Sequence, residues 1–152
     1  MKLIKQNLLV MLVFLSTIAF AQDHNKFSKI EEFHERKWQA LITQAQLSPK
    51  EAEDVKPVFI EHENLVWKLH QENHDFFKSA LKNAKNVTPN YAALNDRYID
   101  NEFKEAQLSK IYHIKLRKIL DPETLFRYYK AERDFKRKLL HDLQDQRQRD
   151  KK

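Results

Sequence analysis

The chain has no glycine in 152 residues. Positive φ is then expensive at every position, which excludes glycine-dependent hairpin turns and glycine-rich phosphate loops. The chain must reverse direction by other means: polar N-caps, proline at the first helical position and short bent connections. These are helix-ending devices, and they point to an all-α fold. Charged residues make up 33% and aromatics 11% of the chain, a mix suited to helices with charged faces and buried apolar stripes. There is no cysteine either, so disulfides, thiolate nucleophiles and thiolate metal sites are excluded.

The first 21 residues read as a cleaved signal peptide. Lys2 and Lys5 precede the apolar run Leu8–Ile18, and Ala19-Phe20-Ala21 has the small-x-small cleavage pattern. The run is shorter than the ~20 residues that a spanning helix needs. Gln22, not cysteine, follows the expected cut, so no lipid anchor is expected. Cleavage there removes two lysines and no acid, taking the formal charge from +6 to +4. The expectation is a periplasmic protein with no permanent membrane span. Its mild basic bias is far from a nucleic-acid-binding signature.

Apolar spacing predicts four helices. The first runs from about Asn25 to Gln44. Ser48 then caps a second helix, with Pro49 at its first position and Glu51 completing a capping box. That helix extends to about Leu81 and contains Pro57, where a bend is expected. Thr88-Pro89 opens the third helix by the same logic. One stripe of it holds Tyr91, Leu94, Tyr98, Leu108, Tyr112, Leu116 and Ile119, and another holds Ile99, Phe103, Ala106 and Ile114. A helix apolar on two sides needs two partners. Asp121-Pro122 opens the fourth helix, which carries Leu125, Tyr128, Tyr129, Phe135, Leu139 and Leu143. Residues 22–143 form the expected helical domain, and the polar stretch 144–152 is expected to fray. The predicted architecture is two long bent hairpins, elongated and dimeric.

The two breaks, Leu47-Ser48-Pro49-Lys50-Glu51 and Leu120-Asp121-Pro122-Glu123-Thr124, are alike. This repetition resembles the twice-occurring LTxxQ motif of the Spy/CpxP family of periplasmic helical proteins. Ser48 and Asp121 stand where that motif has threonine; Glu51 and Thr124 stand where it has glutamine. The stretch from Leu47 to Pro57 is similar to a Bacteroidota branch often labelled as sensors of extracytoplasmic-function sigma factors. The resemblance covers about Phe27 to Leu143. It implies a homodimeric, cradle-shaped helical protein. Members include ATP-independent chaperones, envelope-stress regulators and metal-resistance proteins.

Ile60, Trp67, His74 and Leu81 recur every seven residues on the second helix, well round from its main apolar face. This stripe is a candidate client or dimer surface; burial against another helix of the chain fits it equally. Lys104, Lys110, Lys115, Arg117, Lys118, Arg127, Lys130, Arg133, Lys136, Arg137 and Lys138 crowd the second half of the chain. They suit either attraction of acidic segments or an ordinary solvated face. His70 and His74, four apart, are weak candidates for a zinc or copper site. His34, His113 and His141 read as partly exposed. No catalytic constellation and no cofactor are expected. The leading function is an ATP-independent, chaperone-like binding protein for non-native or membrane-associated envelope proteins. The alternatives are a regulatory sensor in a sigma-factor pathway and a periplasmic metal sensor.

Overall fold

A computed structural model describes residues 29–82, 84 and 87–150. The expected signal peptide and residues 25–28 of the first expected helix lie outside the described residues. Those described form four helices and no strand: α1 at 29–45, α2 at Pro49–Leu81, α3 at Tyr91–Leu116 and α4 at Pro122–Arg149. Two units divide the chain, residues 1–37 and Trp38–Lys152. In the first, 29–37 form the opening turns of α1, where the Phe33 and His34 rings lie 6.2 Å apart. His34 is buried, against the expectation of partial exposure.

The second unit holds the core. Trp38, Leu41 and Ala45 of α1 belong to one buried cluster with Val55 and Phe59 of α2, Tyr112 and Leu116 of α3, and Leu125, Tyr128 and Ala131 of α4. Full burial of each large apolar side chain contributes about 1.5–3 kcal/mol. The Trp38 and Phe59 rings meet at 5.2 Å between centroids. α2 and α3 make the extended helix-against-helix packing and run antiparallel: His62 stacks on Tyr112, and Arg97 donates to Asn73. α4 joins through its N-terminal turns, and none of its residues beyond Ala131 is buried. The second expected hairpin is therefore closed only at its base, since the far part of α4 is dominated by charge.

Local chemistry explains the boundaries. α1 ends on Gln46 in the left-handed region, φ 55°. The Leu47 N–H donates to the Ile42 carbonyl at 3.1 Å, the long bond of a Schellman turn. Glycine usually occupies that position. Ser48 then begins α2 at once: its N–H donates to Glu51 Oε2 at 2.8 Å, and the Glu51 N–H donates to Ser48 Oγ at 3.3 Å. α2 continues as helix through Pro57.

Two boundaries differ from expectation. α3 opens at Tyr91, not at Pro89, because Asn90 is the cap: its side-chain oxygen accepts from the Ala93 N–H at 3.1 Å. Asparagine caps better than threonine. α4 continues as helix across 144–149, where fraying was expected. That stretch contains no proline or glycine, and His141 and Asp145 pair four residues apart at 3.3 Å.

The strained turn yields a direct test. Gln46→Gly should raise the unfolding free energy by up to about 1 kcal/mol, because glycine takes the left-handed conformation without steric cost. Urea denaturation with an unchanged m-value would register it; a loss of stability would mean that the Gln46 side chain matters more than its backbone.

Candidate functional site

The two similar breaks meet in space. Leu47 and Leu120 both enter the core cluster. At the second break, Asp121 accepts from the N–H groups of Glu123 and Thr124 at 2.9 and 3.1 Å, and Thr124 Oγ1 donates to its other oxygen at 2.6 Å. The Thr124 hydroxyl is the chief cause holding the Asp121 carboxyl below its ordinary range. One turn on, Arg127 Nε donates to the Ala45 carbonyl at 3.0 Å. The same guanidinium reaches Thr124 Oγ1 at 2.9 Å and Glu123 Oε1 at 2.7 Å. Arg127 thus ties the C-terminal end of α1 to the cap of α4. Sequence reading placed Arg127 in a general basic surface; only the pairing of the two turns reveals its partner.

Beside this junction lies a tyrosine cluster that spacing did not single out. The Tyr112 and Tyr128 hydroxyls share a hydrogen bond of 2.6 Å. The His62 ring stacks flat on Tyr112, with centroids 4.1 Å apart. His113 Nδ1 lies 3.0 Å from the Tyr129 hydroxyl. Burial raises the pKa of Tyr112 and Tyr128 well above ordinary tyrosine, and burial with the nearby Glu132 carboxylate pushes Tyr129 up to about 12. These groups are fixed in the neutral form, as structural hydrogen bonders. Asn101 Oδ1, buried on α3, has no hydrogen-bond partner; nothing in the structure explains it.

The candidate surface on α2 divides. Ile60 packs against the core. Trp67, 38% exposed, and Leu81, 44% exposed, face outward with the exposed His74. The candidate metal pair does not converge on a common ligand set: His70 Nε2 lies 3.9 Å from Glu105 Oε2, and His74 Nδ1 lies 3.2 Å from Asp75 Oδ1. Among the described residues no three His, Cys, Asp or Glu side chains come together as a metal site. Of the basic residues, Lys115 pairs with Glu61, Arg127 with Glu123 and Arg137 with Asp134. Among the described residues no helix is long and apolar enough to cross a membrane.

Comparison of the chain with protein-family models, with curated proteins and with solved structures finds no match.

Two measurements probe the junction. Arg127→Met keeps the apolar stem but leaves the Ala45 carbonyl without its donor, so unfolding should become easier by about 1.5–3 kcal/mol. The tyrosines set an alkaline limit. Their folded pKa values lie above the ordinary value of 10.0, so their contribution is full below pH 10 and is lost as pH rises toward the folded values. Denaturation midpoints should fall above pH 10, and Tyr112→Phe with Tyr128→Phe should flatten that fall. An equal fall in the double variant would place the cause elsewhere.

Proposed function

We propose that the protein is a periplasmic, ATP-independent, chaperone-like binding protein that holds non-native envelope proteins on exposed helix surfaces. One observation carries this reading: large apolar side chains stand bare on helices whose core is already closed and capped. They include Trp67 and Leu81 on α2, Ile99 and Phe103 on α3, and Phe126 on α4. In this reading, these exposed apolar side chains supply the surface that grips apolar segments of a client. Trp67 suits the task, having a broad apolar body and one polar N–H.

The client surface in this reading is Trp67, His74 and Leu81, without Ile60. Arg133, Lys136, Arg137 and Lys138, all exposed on α4, attract acidic client segments at long range. The resemblance of the two capped breaks to the LTxxQ motif supports the periplasmic placement, as does the N-terminal pattern of Lys2, Lys5 and Ala19-Phe20-Ala21. The reading includes a second copy of the chain beside the first.

The test is aggregation of a chemically denatured protein diluted into buffer without ATP. Near-stoichiometric amounts should suppress light scattering. Trp67→Ser combined with Leu81→Ser should raise the amount needed several-fold while leaving helical circular dichroism unchanged. Unaltered scattering at a several-fold excess of the wild-type protein rejects the proposal.

A further inference from the structure

α4 has two opposite faces, and the core uses one. Thr124, Leu125, Tyr128 and Ala131 are buried on it. At 100° per residue, Phe126, Lys130, Arg133, Arg137, Leu140 and Gln144 fall on the other side, within about 80° of one another. All six are exposed, Phe126 to 64% and Leu140 to 52%. The stripe is about 27 Å long, at 1.5 Å per residue. It begins beside the core residues and continues past Ala131, beyond which nothing on α4 is buried.

The stripe holds no acid. Lys136 and Arg147 flank it on one side, Asp134 and Asp145 on the other. Among the described residues, Arg137 alone of its three cations makes an ion pair, with Asp134. The face is thus a line of positive charge with a large apolar side chain near each end. Cations strung over several turns cannot surround one small anion; they match an extended surface of repeated negative charge. Phe126 and Leu140 decide which kind of surface. An acidic polypeptide would neutralise the cations but would need apolar pockets placed to meet both side chains. A bilayer offers apolar depth everywhere beneath its headgroups. Lysine and arginine stems can lie along it with their charges at the phosphate level, while phenylalanine and leucine reach the acyl boundary.

We infer that this outer face of α4 lies on the surface of an anionic phospholipid bilayer. Lys130, Arg133 and Arg137 meet the headgroup phosphates, and Phe126 and Leu140 dip between them. The attachment is peripheral, since among the described residues no helix is long and apolar enough to cross a membrane. A few cations and two apolar side chains give reversible binding that salt weakens. The inference goes beyond the client reading and does not need it, because Trp67 and Leu81 lie on α2. Taken together, the two hold a binding protein at the surface where membrane-associated clients are found.

Cosedimentation with lipid vesicles tests the inference. Protein purified after expression of the whole chain should pellet with vesicles of mixed phosphatidylglycerol and phosphatidylcholine, and not with phosphatidylcholine alone. Raising salt from about 0.05 to 0.5 M should release it. Arg133→Gln with Arg137→Gln should weaken binding about fivefold for each charge removed. Phe126→Ser should weaken it several-fold, with helical circular dichroism unchanged in both variants. Lys50→Gln with Lys68→Gln removes as much charge from exposed positions on α2 and should leave binding nearly unchanged. An equal loss from the α2 pair overturns the inference, because the effect is then one of net charge. Equal pelleting with neutral vesicles overturns it as well. So does a failure to pellet with anionic vesicles; capture of polyglutamate through Arg133 and Arg137 in that case assigns the face to an acidic protein. Suppression of aggregation without vesicle binding removes this inference and leaves client binding standing. Vesicle binding without suppression supports this inference and removes the other.

Discussion

The hydrogen bond from Arg127 to the Ala45 carbonyl holds together the part of the molecule on which the rest depends. Every helix leaves its last carbonyls without intrahelical donors, and burying such an end without a partner is costly. α1 ends beside the core, so its carbonyls need donors there. The Schellman bond from Leu47 satisfies Ile42, and Arg127 satisfies Ala45. The guanidinium is itself oriented by Glu123 and Thr124, and Thr124 is held by Asp121. The chain of bonds therefore begins at the cap of one helix and ends at the terminus of another. Leu47 and Leu120, carried inward by the two turns, fill the space beneath it.

Much of this was legible in the residues because caps are local. Ser48 with Glu51, and Asp121 ahead of Pro122, announce helix starts within four or five positions, and no distant contact alters their geometry. The all-helical class follows from the missing glycine by similarly local reasoning. Three features were illegible for a common reason: they depend on what lies nearby in space. Arg127 is one cation among many until Ala45 is placed beside it. Tyr112 and Tyr128 read as two apolar-stripe residues until α3 and α4 bring their hydroxyls together. Ile60 reads like Trp67, yet one packs on the core and the other faces out. The missed cap at Asn90 is different, since a polar residue directly after Pro89 was a readable signal that the stronger precedent of Ser48-Pro49 obscured.

The energetics of the second unit are uneven along its helices. Near the two turns, apolar burial, caps and the tyrosine hydrogen bonds coincide. Farther out, α2 has no buried residue beyond Leu69 and α4 none beyond Ala131. There the helices are accompanied by exposed pairs such as Lys68 with Glu72 and Arg137 with Asp134. Such pairs contribute at most about 1 kcal/mol each. Local opening is governed by local burial, so the outer turns open at lower free energy than the base.

That gradient bears on the proposed binding of non-native clients. A non-native client presents no fixed shape, and a surface that must accept many shapes gains from being adaptable. A surface that adapts everywhere would lose its own fold, because stability is a small difference between large terms. Concentrating polar satisfaction and apolar burial at one end resolves the conflict. The capped base specifies the fold, and the bare apolar residues on the shafts are free to serve recognition. Trp67 and Leu81 both lie on α2, with Leu81 in its last turn, past the deepest part of the core. Their exposure costs the fold little, since no core cluster residue of α2 lies beyond Phe59. Had the same side chains stood between Val55 and Phe59, turning them outward would have emptied the core that holds the base. Placement along the helix, more than residue type, is what separates the apolar groups that build this protein from those left available to bind.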